Sequence, residues 1–324
     1  MTDIEQIRRP IEAELEEYQL LFRECMSSGD DFIDKALRYI YSRQGKMMRP
    51  TLVLLLAKGL GKITENTLRS AVVLELLHTA SLIHDDVVDE SEERRGHRSV
   101  KSVYDNKTAV LMGDYMLSST LHNAALTGNV HIVEIIAKLG KELTEGEIAQ
   151  LNHTHESHVS EETYFNIIRH KTAALFTACG ELAAITAGAD EKGVEKAKFF
   201  GETVGICFQI RDDIFDYFDD ARIGKPRGND MREGKLTLPV IHALLKTQDS
   251  EMTALAMRVK KQDATNEEIQ KLIDFTKENG GIEYAERKMD EIVKEALEVF
   301  EYIESQDIKT ALKDYLNFVI QRSY

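Results

Sequence analysis

The sequence predicts an all-α protein, and three observations lead there. Only four prolines, at positions 10, 50, 226 and 239, stand in 324 residues, so long stretches carry nothing that breaks a helix. Apolar residues recur at spacings of three and four through most of the chain, which is the stripe an amphipathic helix buries. No comparable stretch alternates apolar and polar residues with period two, so strands are at best minor.

The segment Ile282 to Ile303 carries the helical period most openly, with Ala285, Met289, Ile292, Val293, Ala296 and Phe300 on one face and Glu, Lys and Arg on the other. The same period predicts helices over Leu68 to Asp89, Ala109 to Leu126, Val130 to Leu151, Thr163 to Ala187 and Val194 to Asp216. Breaks are expected at 59–61, 127–129, 224–229 and 279–281, each rich in Gly or Asn and each suited to a cap or loop. None is long enough for a linker, and no repeat of fixed period appears, so one domain over 1–324 is expected.

Composition narrows the function. Lys plus Arg number 41 against 56 Asp plus Glu, a net charge of −15, which argues against sequence-independent binding of nucleic acid. The longest apolar run of the first hundred residues, Leu52 to Ala57, is far short of a membrane span, and the N-terminus lacks a basic-then-apolar signal layout. A cytoplasmic protein is expected. Cys25, Cys179 and Cys207 are widely spaced, with no CxxC, and read as structural free thiols. His153, His155 and His158, interspersed with Asn, Thr, Glu and Ser, read as a polar helix end or loop rather than a transition-metal site.

One word occurs twice at the end of an apolar helical segment: Asp85-Asp86-Val87-Val88-Asp89 and Asp212-Asp213-Ile214-Phe215-Asp216. Residues i and i+4 share a helix face about 5–6 Å apart, so Asp85 with Asp89, and Asp212 with Asp216, form carboxylate pairs. Carboxylates that close repel unless a cation compensates them, and hard oxygen donors suit Mg²⁺, which takes one or two carboxylates plus waters and substrate phosphates. A metal-bridged diphosphate site is the expected result. Basic residues stand nearby: Lys46 and Arg49 at i and i+3 in Gly45–Pro50, Arg94 and Arg95 before Gly96, and Lys225 and Lys235 flanking Asp230.

These words, GKMMRP at 45–50, DDVVD at 85–89, RRG at 94–96, KT at 171–172, FQIRDDIFD at 208–216, and GKPRGND with EGKLTLP within 224–239, resemble the trans-type (head-to-tail) isoprenyl diphosphate synthases, in the family's order. The resemblance implies an isoprenoid-synthase helical bundle around a central cavity, a homodimer, and three Mg²⁺ ions between the aspartate motifs. It implies that Asp85, Asp89 and Asp212 are metal ligands, supported by Asp86, Asp213 and Asp216. It assigns Arg94, Lys171, Lys225 and Lys235 to the allylic diphosphate, and Lys46, Arg49, His78 and Arg95 to isopentenyl diphosphate. Some relatives carry Gln where His78 stands. Thr172 and Gln209 would border the reacting carbons and stabilise a developing carbocation without capturing it.

The helix that ends in the first motif also forms the wall beneath it; Ser81 lies about 6 Å from Asp85 along the axis. Short-chain members of the family carry an aromatic residue four or five positions before the first Asp. Here those positions hold Ala80 and Ser81, with Leu77 one turn below, so a long-chain polyprenyl product is expected, with a farnesyl or geranylgeranyl product as the alternative. A terpene cyclase is disfavoured because its second metal motif carries Asn, Ser or Thr and Glu. A non-catalytic subunit of a heteromeric synthase is disfavoured because every expected aspartate and basic position is filled.

Overall fold

The computed structural model describes residues 4–43, 45–94, 96–153, 159–218 and 227–321, the side chains of 151–153 excepted. In chain order the helices are α1 (Ile4–Arg8), α2 (Glu12–Cys25), α3 (Asp31–Tyr41), α4 (Met48–Leu60), α5 (Glu65–Val88), α6 (Val100–Val103), α7 (Asn106–Leu126), α8 (Val130–His153), α9 (Glu161–Ile168), α10 (Ala174–Ala187) and α11 (Glu191–Phe215). They continue with α12 (Asn229–Arg232), α13 (Leu238–Thr247), α14 (Ser250–Lys260), α15 (Asn266–Glu278), α16 (Gly281–Ala296) and α17 (Gln306–Gln321). Among the described residues the extended structure is one hairpin, β1 (Glu93–Arg94) paired antiparallel with β2 (His97–Arg98). Gly96 turns it at a φ of +73°.

Two expected helices differ in detail. Thr163 to Ala187 is not one uniform helix: a π-helical turn, Arg169–Ala173, joins α9 to α10. Ile282 to Ile303 leaves the α-helical form after Ala296 and continues as a 3₁₀ turn over Leu297–Tyr302.

Packing groups the chain into two compact units. The first comprises Met1–Gly140, Leu175–Gly201 and Val299–Tyr315. Its centre is α4 and α5. Every residue from Pro50 to Ala57 of α4 is buried, as is every residue from Ala71 to Leu77 of α5, so both helices are enclosed all round rather than along one stripe. That explains the Leu52–Ala57 run without a membrane. Each buried Leu or Val among them contributes roughly 1.5–3 kcal/mol. A capping box of Thr64 and Thr67 starts α5, which packs against α2, α4 and α7. The α5–α7 contact is tight enough that a Cβ on Gly113 would stand 2.2 Å from the His84 ring.

The second unit comprises Lys141–Ala174, Glu202–Glu298 and Leu316–Tyr324. Here α13 packs on α9, α15 and α16, and α14 packs on α15, whose N-terminus is closed by a Thr265–Glu268 capping box. The three cysteines form no disulfide. Burial pushes the Cys179 and Cys207 thiols up to about 12, as structural thiols require. Among the described residues no helix is long and apolar enough to cross a membrane.

Candidate active site

In the first unit, the DDVVD word occupies the last turn of α5, where the helix dipole adds negative potential and where no basic residue stands to offset it. Acids there are destabilising unless a cation joins them. The three aspartates are not equivalent. Asp85 is half-buried and Asp89, the C-cap, is exposed, whereas Asp86 is buried. The Asp86 Oδ1 accepts a 2.7 Å hydrogen bond from Arg94 Nε. Burial raises the Asp86 pKa and Arg94 opposes that rise. Asp86 therefore orients the Arg94 guanidinium.

A cavity opens beside these groups. Its apolar lining includes Phe22, Met26, Ile40, Leu82, Ile83 and Val100, and its polar lining includes His78, Asp86, Arg43, Arg94, His97 and Arg98. The hairpin is fastened to α3: Tyr39 Oη donates to the Arg98 carbonyl at 2.6 Å, and Arg43 Nη1 lies 3.0 Å from His97 Nδ1. Gly45 also lines this cavity, but Lys46 and Arg49 are not among its lining residues. Arg49 instead lies over the Phe176 ring, 4.9 Å from its centroid.

The Lys46–Arg49 segment is held by residues that carried no signal in the sequence. Met47 caps α4 in the left-handed region, at a φ of 43°. Arg8 donates to the Lys46 carbonyl and to Thr51, while Tyr315 Oη donates to the Met48 carbonyl at 3.0 Å. Tyr315 is 267 residues from Met48, a separation no local pattern reports.

The second unit repeats the theme at the last turn of α11, again without a basic residue there. Asp212 is half-buried. Asp213 is buried and accepts from Tyr164 Oη at 2.5 Å and from Gln209 Nε2 at 2.8 Å. Asp216 spends both oxygens on backbone: Oδ1 accepts from Asn229 N–H at 2.9 Å and Oδ2 from Asp230 N–H at 3.1 Å. Burial raises the pKa of both; the neighbouring Asp230 charge adds to the rise at Asp213, and the two N–H groups oppose it at Asp216.

The π-helical turn brings Lys171 and Thr172 to a cavity that Gln209, Asp213, Asp230 and Lys235 also line. Such turns are rare and concentrate at functional sites. Lys171 Nζ lies 2.8 Å from Glu147 Oε2, and Lys235 Nζ 2.5 Å from Glu233 Oε2. Thr172 Oγ1 donates to Gln209 Oε1 at 2.8 Å. Helix α8 approaches so closely that a Cβ on Gly146 would stand 2.9 Å from the Lys171 backbone nitrogen.

Of the remaining expected residues, Arg95, Lys225, His155 and His158 lie outside the described residues, as does the side chain of His153. Along α5, Leu77 and Ala80 are buried, and Ser81 is half-buried with its hydroxyl donating to the His78 carbonyl at 2.9 Å. Among the described residues no three His, Cys, Asp or Glu side chains gather into a self-sufficient metal cage. Carboxylates offered in small sets at two helix ends fit a cation that completes its shell with water and phosphate oxygens, as Mg²⁺ does, and fit poorly a cation held by protein alone.

A sequence profile of the polyprenyl synthetase family matches residues 30–276. The chain is 31% identical to octaprenyl diphosphate synthase of Haemophilus influenzae over 325 aligned positions, which cover 100% of this chain and 98% of that one. Among solved structures it is 47% identical to geranylgeranyl pyrophosphate synthase of Bacteroides thetaiotaomicron, with a TM-score of 0.86 over 98% of this chain and 99% of that one. It is 32% identical to a decaprenyl diphosphate synthase of Rhodobacter capsulatus, with a TM-score of 0.91 over the same shares.

Proposed function

The chain belongs to the polyprenyl synthetase family and is a prenyltransferase, and from that premise we propose that it condenses isopentenyl diphosphate with an allylic diphosphate to give a long-chain all-trans polyprenyl diphosphate. In this reading the two units work as one synthase domain over 1–324, in the cytoplasm, as a homodimer. The observation that supports the chemistry is the pair of aspartate motifs, each at the C-terminal end of a long helix with no basic residue in its last turn. Asp86, Asp213 and Asp216 are bonded to Arg94, to Tyr164 with Gln209, and to the Asn229–Asp230 backbone, while Asp85 and Asp212 are half-buried and Asp89 is exposed at the same helix ends.

Asp85, Asp89 and Asp212 would hold Mg²⁺, three ions in all, with the other aspartates in support. Bound Mg²⁺ supplies Lewis-acid neutralisation of the leaving diphosphate. Arg94, Lys171, Lys225 and Lys235 receive the allylic diphosphate; for Lys171 and Lys235 this means sharing or exchanging the Glu147 and Glu233 partners they now have. Lys46, Arg49, His78 and Arg95 receive isopentenyl diphosphate. The allylic C–O bond breaks, the isopentenyl double bond supplies the electron pair of the new C–C bond, and a proton leaves to the departing diphosphate. Thr172 and Gln209 face the charge that develops. Leu77, Ala80 and Ser81 form the wall the product tail passes.

A geranylgeranyl-length product is the second reading, favoured by the 47% identity to the Bacteroides thetaiotaomicron protein. Purified protein incubated with isopentenyl diphosphate, each allylic primer in turn and Mg²⁺, followed by sizing of the products, tests both. Products longer than geranylgeranyl support the first reading, products ending there support the second, and no condensation with any primer overturns both.

A further inference from the structure

Gly146, Glu147 and Gln150 fall on one face of α8, since residues three and four apart on a helix are neighbours. That face meets the π-helical turn that carries Lys171. A Cβ at position 146 would stand 2.9 Å from the Lys171 nitrogen and 3.1 Å from both the carbonyl carbon and the Cβ of His170. Backbone does not yield as the end of a long side chain does, so glycine at 146 is what lets α8 come this close, and the approach sets the reach of the next residue. Glu147 Oε2 accepts a hydrogen bond from Lys171 Nζ at 2.8 Å. Lys171 and Gln150 line the cavity, whereas Glu147 is not among the described residues that line it. The carboxylate therefore acts on the cavity through the ammonium group. The two side chains are 35% and 29% exposed, and an ion pair that open to water contributes little to stability, so what it fixes is direction.

A lysine ammonium carries three protons and no acceptor, on a flexible stem that leaves their directions open. Donating one of them to a fixed carboxylate stops rotation about the Cε–Nζ bond and sets the other two. We infer that Glu147 is a positioning residue, which takes one Lys171 proton and aims the remaining two at the diphosphate of the allylic substrate. The inference rests on the prenyl-transfer reading and deepens it: Lys171 keeps Glu147 when the diphosphate arrives and does not exchange it. A carboxylate beside an anion site also repels the anion, so the sign of its removal separates two roles. Removing a group that only competed with the diphosphate would tighten binding, whereas removing an aiming group loosens it.

The probe is geranyl thiolodiphosphate, in which sulfur replaces the bridging oxygen so that the bond to the allylic carbon resists ionisation, titrated calorimetrically in the presence of Mg²⁺. Glu147→Ala is expected to weaken its binding by about fivefold or more, and Glu147→Gln, whose amide oxygen still accepts from Nζ, to stay within about twofold of the parent. Glu147→Met, of similar length and without that acceptor, carries the test if Glu147→Ala does not fold. In a Lys171→Ala background, itself weaker than the parent by about tenfold or more, Glu147→Ala should add less than about twofold, because its effect passes through the lysine. In turnover, Glu147→Ala should raise the KM for the allylic primer and leave that for isopentenyl diphosphate within about twofold. Unchanged or tighter binding by Glu147→Ala overturns the inference alone. So do equal losses in the Ala and Gln variants, a loss that persists without Lys171, or an equal rise in both KM values, which marks a merely structural glutamate. A parent that does not bind the probe overturns the prenyl-transfer reading and the inference together.

Discussion

Single carboxylates within one short word do different things, and the difference comes from what the fold sets against each. In the proposed reading, Asp85→Ala and Asp212→Ala are expected to lower kcat by at least about a hundredfold, because each would remove a carboxylate ligand from the cation that neutralises the leaving group. Asp216→Ala should act otherwise: losing two charge-assisted bonds to the Asn229–Asp230 backbone should cost about 1–2 kcal/mol and show as a lower melting temperature without ligand. Equal melting temperatures for parent and Asp216→Ala would contradict that role. The i, i+4 pairs were legible in the sequence because helical geometry alone makes them. Which member is buried was not, since that depends on Arg94 eight residues away and on Tyr164 forty-nine residues away.

At the scale of elements, periodicity located the helices that carry both motifs. It did not reveal the π-helical turn at Arg169–Ala173, because one extra residue in a turn leaves the apolar spacing of a long segment almost unchanged. Nor did it reveal that Arg8 and Tyr315 fasten the Lys46–Arg49 segment. Tyr315→Phe should cost about 1 kcal/mol and raise the KM for isopentenyl diphosphate more than that for the allylic primer. Burial also separates the two wall positions. Ala80 is 0% exposed, so Ala80→Phe is expected to overpack α5 and destabilise the protein by about 1–3 kcal/mol. Ser81 is only half-buried, so Ser81→Phe should fold and shift products to shorter chains, read by sizing them. Parent-length products from folded Ser81→Phe would remove Ser81 from the wall.

For the whole molecule, a net charge of −15 and two acidic helix ends set a general problem: anionic substrates must reach an anionic protein. Cations solve it only if they bridge carboxylate and diphosphate, so metal and substrate should bind as one. Association belongs to the same scale. Leu111, Leu121 and Leu126 are exposed along α7; if the proposed homodimer covers this apolar surface, Leu111→Glu with Leu121→Glu converts it to monomers in sedimentation. The most direct measurement of the central claim is calorimetric titration of Mg²⁺ with and without inorganic diphosphate, in the parent, Asp85→Ala and Asp212→Ala. The expected result is weak Mg²⁺ uptake by the parent alone, strong uptake with diphosphate, and loss of that gain when either motif is altered. A gain that survives removal of Asp85 or of Asp212 would contradict the proposed role of that aspartate in holding the metal.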